Sequence, residues 1–68
     1  MLTERLKLLR KEQRVYQREL AEYLGVSVRT YQFYESGHNE PNIKSLIALA
    51  DFYGVTIDYL VGRTDKRD

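Results

Sequence analysis

The sequence predicts an all-α fold, a compact bundle of five short helices, and three observations carry that expectation. Apolar residues recur at three- and four-residue spacing along most of the chain. Small polar residues stand where helices would begin, and four glycines stand where they would end. No alternating strand pattern, internal repeat, linker or low-complexity stretch interrupts this rhythm.

The elements follow in order. Leu2, Leu6 and Leu9, with Leu8 at the flank, give a first helix at about 3–13 that Thr3 is placed to cap, while Glu4, Lys7, Lys11 and Glu12 fall on other faces. Leu20, Ala21 and Leu24 share one side of a two-turn second helix from Gln17 to Leu24, which Gly25 ends. Ser27 caps a third helix running to about Ser36, with Gly37 as its stop. After a loop of His38, Asn39 and Glu40, Pro41 enforces an extended entry and Asn42 caps the fourth helix. There Ile43, Leu46, Ile47, Leu49, Ala50 and Tyr53 cover a broad arc, as expected of an element buried against several neighbours. Gly54 closes it, Thr56 caps a short fifth helix with Asp58 in its first turn, and Gly62 breaks the pattern. The reading is one domain over residues 1–62 and a frayed, charged tail over 63–68.

Bulk properties narrow the function classes. A chain of 68 residues has room for one core, and with no cysteine that core stands without disulfides or a cysteine-held metal, so a reducing, cytoplasmic setting is expected. No apolar run approaches the roughly 18 residues needed to cross a bilayer, and the N-terminus lacks the features of a signal peptide, so no membrane partner is expected. The net charge of +1 is modest, yet residues 1–34 hold seven Lys/Arg against four Asp/Glu and residues 35–68 hold four against six, which suggests one basic face. An enzyme is disfavoured. There is one histidine, no glycine-rich phosphate cradle and too little chain for an enclosed pocket, so neither catalytic residues, nor a cofactor, nor a metal site is expected.

The segment Gln17 to Gly37 is the informative one. Two short helices joined by Gly25, Val26 and Ser27 form a supersecondary unit that can set its second helix in a DNA major groove. Advancing 100° per residue, Val28, Arg29, Gln32, Phe33 and Ser36 share one side of that helix, and Thr30, Tyr31 and Tyr34 the other. The tyrosine side is the one to pack on Leu20, Ala21 and Leu24, which leaves the first side free. Its groups suit base edges: Arg29 for guanine O6 and N7, Gln32 for adenine or phosphate, Val28 and Phe33 for thymine methyls. Phe33 has an equal alternative, packing down onto the second helix or the following loop.

This segment, with Arg5 to Glu12 before it and Glu40 to Leu60 after it, resembles the phage-repressor (Cro/cI-like, XRE) helix-turn-helix family, and Gln17, Ala21, Gly25, Ser27, Glu35, Gly37 and Pro41 all match its pattern. The likeness covers residues 5–62. It implies a lambda-repressor-like five-helix domain that reads an operator as a dimer through the third helix. Position by position, it implies base contacts from Val28, Arg29 and Phe33 with Gln32 beside them near the backbone, phosphate contacts from Gln17, Ser27 and Asn39, and a charged pair of Arg10 with Glu35 tying the first helix to the third. Gln17 is also implied to brace the recognition helix. Tyr16 departs from the family's usual Ser or Thr cap before the second helix, and Tyr31, Tyr34 and Tyr53 stand where aliphatics are usual. His38 lacks any partner for a metal or catalytic site and reads as exposed, able to aid phosphate binding at lower pH.

One short reading helix spans few base pairs, so two copies on half-sites about 34 Å apart, a homodimer on a roughly palindromic operator, are expected. Val55, Tyr59 and Val61 are the expected interface residues, with Ile57 and Leu60 closing the core. Too little chain follows Gly62 for a ligand domain, so no small-molecule effector is expected. The function implied is a sequence-specific transcriptional regulator, a repressor in the first instance. The alternative is a protein-interaction module such as an antitoxin or anti-repressor, served by Tyr23, Phe33 and the fifth-helix surface.

Overall fold

A computed structural model describes all residues 1–68, with five α-helices: α1 Leu2–Gln13, α2 Gln17–Leu24, α3 Val28–Ser36, α4 Ile43–Tyr53 and α5 Ile57–Leu60. Three of the five starts are fixed by the side chain named from sequence. Ser27 Oγ accepts the Thr30 N–H at 3.0 Å, Asn42 Oδ1 accepts that of Ser45 at 2.8 Å, and Thr56 Oγ1 accepts that of Tyr59 at 3.0 Å. Each satisfies one of the backbone donors that a helix start leaves without a partner. Thr3 does not cap α1. The N-cap falls two residues earlier, on Met1, which makes no side-chain cap bond, and Thr3 lies inside the helix. α1 ends at Arg14, the one non-glycine residue with positive φ (56°), whose N–H reaches back to α1 carbonyls. Gly25, at φ 73°, makes the tight exit from α2 at little steric cost.

The core draws on every helix: Leu6 and Leu9 from α1, Leu20 and Ala21 from α2, Tyr31 and Tyr34 from α3, Leu49 and Ala50 from α4, Tyr59 and Leu60 from α5. α3 packs on α1 and α2, α4 on α2 and α5, and α5 closes back on α1. The third helix is thus held from two sides along its buried face, a rigid mounting for whatever its outer face does.

Three expectations need correction. α4 is not buried all round: Ile43 is 72% and Ile47 46% exposed, because its core contacts come through Ser45, Leu49 and Ala50 and leave these isoleucines beyond the packed edge. Tyr59 is not a surface residue for a partner. It is 4% exposed, with the Arg5 guanidinium 4.0 Å above its ring. Val55 packs half-buried against the core, and Val61 is likewise half-buried. The tail is not frayed either. Arg67 accepts the Thr56 N–H at its carbonyl (2.9 Å) and sets its guanidinium in a fork on Glu12, two bonds of 2.8 Å. Arg5, 8% exposed, gathers the carbonyls of Tyr59 and Thr64 and the carboxylate of Asp65 at 2.7–2.8 Å. The last six residues therefore strap α1 to α5.

Candidate nucleic-acid interface

α3 divides as its spacing requires. Tyr31, Tyr34 and Glu35 are buried, whereas Val28, Arg29, Gln32 and Ser36 are exposed. Val28 keeps 41% of its surface in solvent. Phe33 is half-buried and takes the alternative of packing toward the loop: its ring centroid lies 4.5 Å from that of His38, and the Arg29 guanidinium stands 5.5 Å from it. The aromatic ring is a support for two cationic or polar groups on the outer face, so its own edge is only partly free.

The start of α2 lies beside this face. Tyr16 provides no side-chain cap, as its residue type requires, and Tyr16, Gln17, Arg18 and Val28 line an open cleft between the first turns of α2 and α3. Ser27, exposed, borders the same region; its hydroxyl both caps the helix and donates to Thr30 Oγ1 at 3.0 Å. Asn39 is exposed beyond the other end of α3, with its N–H on the Phe33 carbonyl (3.3 Å) so that the backbone of the loop is held while the side chain is free.

Behind the face sits a polar network. Arg10 of α1 donates from Nε to Glu35 Oε2 at 2.7 Å and from Nη2 to Oε1 at 3.2 Å, a forked geometry that fixes both planes. A third donor, Arg10 Nη1, binds the Val15 carbonyl at 3.2 Å and so ties in the α1–α2 turn. Gln17 Nε2 donates to Glu35 Oε1 at 3.2 Å, and Gln17 Oε1 accepts from Gln32 Nε2 at 3.3 Å. Gln17 therefore braces α3, as the resemblance implies, with one of its two amide hydrogens left for any other contact. The Gln17–Gln32 bond was not legible in the sequence; two amides fifteen positions apart carry no local signal.

Glu35 is 3% exposed and burial alone pushes its carboxyl pKa up, but donors surround it: Arg10, the Tyr31 hydroxyl beside it, and Gln17. Together they outweigh burial and hold the carboxyl below its ordinary range, so it is ionised at neutral pH. Arg10 is correspondingly raised, by Glu35 above all. Burial, joined by the nearby Glu35 charge, pushes the Tyr31 and Tyr53 phenols well up. Neither hydroxyl has a partner at full hydrogen-bond geometry, although Tyr31 lies close enough to Glu35 to interact with it. No group of three metal-ligating side chains is assembled anywhere in the fold.

A family model described as "Helix-turn-helix" matches residues 6–60, which takes in the whole α2–α3 unit and its supports. The chain belongs to the helix-turn-helix family of DNA-binding transcriptional regulators. The relatives that it matches are named as transcriptional regulators. Among similar proteins, the helix-turn-helix chain is 37% identical over 68 residues to the uncharacterized HTH-type transcriptional regulator YobD of Bacillus subtilis, across 100% of this chain and 61% of YobD. It is 37% identical over 62 residues to the cryptic phage CTXphi transcriptional repressor RstR of Vibrio cholerae, across 91% of this chain and 55% of RstR. A crystal structure of a transcriptional regulator from Listeria innocua superposes with a TM-score of 0.90 at 38% identity, over 97% of this chain and 62% of that one. The chain thus spans 55–62% of these three proteins' lengths. No helix is long and apolar enough to cross a membrane.

Proposed function

We propose that this helix-turn-helix chain is the reading domain of a repressor that binds a roughly palindromic DNA operator as a homodimer, with α3 in the major groove. The observation that carries the reading is the outer face of α3, where Val28, Arg29 and Gln32 stand exposed on a helix whose opposite face is locked into the core. Arg29 reads a base, Val28 adds methyl contact, and Phe33 supports Arg29 more than it reads. Ser27, Asn39 and the remaining N–H of Gln17 hold phosphates on either side of the groove. The repressor reading rests on the likeness to RstR, which is named as one.

Two copies meet through the α5 side, with Val55 and Val61 as partly exposed apolar contacts and Tyr59 withdrawn from the interface by its burial. Selection from a pool of random duplex DNA at moderate salt tests the whole reading. Recovery of a two-fold symmetric motif with half-sites about one turn apart is the expected result. A folded protein that enriches no motif, or whose binding to DNA does not weaken as salt rises, would favour a protein-interaction module such as an antitoxin or anti-repressor instead.

A further inference from the structure

We infer that the Glu35–Gln17–Gln32 chain of hydrogen bonds fixes the direction in which the Gln32 amide faces, and thereby makes Gln32 a reader of adenine. The inference rests on the DNA-reading function proposed above and adds to it a base identity and a specificity-determining role for Gln17.

The argument is one of hydrogen-bond polarity. A side-chain amide has a donor end and an acceptor end that differ little in shape, so an isolated glutamine on a helix surface can present either. Here the root of the chain is a carboxylate, which accepts only. Glu35 is 3% exposed and held in place by the fork from Arg10, so its Oε1 faces Gln17 in a fixed position. Gln17 must turn Nε2 toward it, as observed at 3.2 Å; the reverse orientation would set two acceptor oxygens against each other. With Nε2 so committed, Gln17 Oε1 faces Gln32, and Gln32 must answer with a donor, as it does at 3.3 Å. Each step follows from the one before, and the buried charge sets all three.

What remains at the exposed end is one carbonyl oxygen and one N–H. Adenine offers a matching pair on its major-groove edge, the N6 amino donor and the N7 acceptor. Guanine offers two acceptors, O6 and N7, and would require two donors from an amide that has already spent one on Gln17. A phosphate is a poorer match as well, since it would face the carbonyl with an anion. Gln17→Met removes the middle of the chain while keeping length and helix propensity, and frees Gln32 to turn over.

The test is binding selection with four proteins: the wild type, Gln32→Ala, Arg29→Ala and Gln17→Met. Gln32→Ala should erase the preference at one base pair of each half-site, and at that pair the wild type should favour adenine about tenfold or more over guanine. Gln17→Met should bring adenine and guanine there close to parity and leave intact the preference that Arg29→Ala removes elsewhere. Any other base at the Gln32 position, or a Gln17→Met protein with the adenine preference unchanged, would overturn the inference while the DNA-reading function stands. A wild type that enriches no motif overturns both. Should Gln17→Met fail to fold, nitrogen-15 relaxation of the Gln32 side-chain amide in the free wild-type protein decides: order comparable to the backbone of α3 is expected, and mobility typical of the exposed Gln13 amide would overturn the relay.

Discussion

Arg10 and Glu35 stand 25 positions apart and meet through two hydrogen bonds, of 2.7 and 3.2 Å, that join α1 to the last turn of α3. Glu35 is the deeply buried partner, while the Arg10 side chain keeps 21% of its surface. A pair of this kind gains little over two well-packed apolar residues, but it is intolerant of losing one member, because the survivor is a buried charge without a counterion. Its position matters more than its energy: it sets the azimuth of α3 and anchors Gln17.

Arg10→Ala should therefore destabilise the fold by about 3 kcal/mol, the cost of stranding Glu35. Lys11, one position on and exposed, makes no such pair, and Lys11→Ala should stay within about 0.5 kcal/mol of the wild type. Thermal or denaturant unfolding of both variants decides the matter, and equal midpoints would dissolve the assignment.

The same pair makes stability depend on pH in the acid range. The folded Glu35 carboxyl titrates below its unfolded value, which is near 4.3, so the unfolded chain binds the proton more readily. The pair's stabilisation is complete above the unfolded value and is lost as pH falls through the lower folded one. Wild type and Glu35→Gln should differ most in unfolding free energy at neutral pH, and the gap should narrow below about pH 4.3. A constant gap from pH 7 to pH 3 would mean that the charge of Glu35 contributes nothing.

Tyr53 presents the opposite case, a polar atom buried without a partner. Its hydroxyl is sealed from solvent and makes no hydrogen bond, so the fold carries its desolvation cost with no return. Tyr53→Phe keeps the ring, with its edge contact to Phe52 at 5.0 Å, and removes the orphan oxygen. The expected outcome is unchanged or higher stability, by up to about 1 kcal/mol, read from the denaturant midpoint. A clear loss would indicate that an ordered water serves this hydroxyl in solution.

How far the fold and site were legible in the sequence follows from the range of the interactions involved. Ser27, Asn42 and Thr56 were readable as caps because the bond each makes spans three residues. Val28, Arg29 and Gln32 were readable as one exposed face because helical phase is local too. Periodicity tells which residues share a face but not how wide a face the neighbours cover, and so Ile43 and Ile47 were assigned to the core. The burial of Tyr59 and the bracing of Gln32 depend on partners 54 and 15 positions away, Arg5 and Gln17, whose roles no local pattern announces. Six charged and polar residues after a glycine read as a loose end, although Arg5 binds the Thr64 carbonyl and the Asp65 carboxylate among them.

That strap yields its own prediction. Truncation after Gly62 would leave buried Arg5 with one of its three acceptors and the Thr56 N–H without the Arg67 carbonyl. The truncated chain should lose about 2 kcal/mol of stability, with amide exchange accelerated most in α1 and α5. Arg63→Ala serves as the control: its side chain is 78% exposed and 3.9 Å from Asp58, so its removal should go unnoticed. Truncation without effect would show that water replaces the strap at no cost.

Arg29 carries the last prediction, and Phe33 shares in it. Arg29→Ala should cost about 1–3 kcal/mol on the selected operator and relax the preference at one base pair, since a guanidinium reads guanine through two bonds at once. An equal loss on operator and random DNA would make Arg29 a phosphate contact instead. The Arg29 guanidinium stands 5.5 Å from the Phe33 ring, close enough for the ring to limit its swing and for the cation to gain from the aromatic face. Phe33→Leu keeps an apolar side chain at the helix surface and removes that face. It should leave the melting temperature nearly unchanged and yet weaken discrimination at the same base pair as Arg29→Ala, by less. Loss of discrimination at a different pair would mean that Phe33 touches a base directly, and no loss at all would mean that Arg29 orients itself on DNA without help.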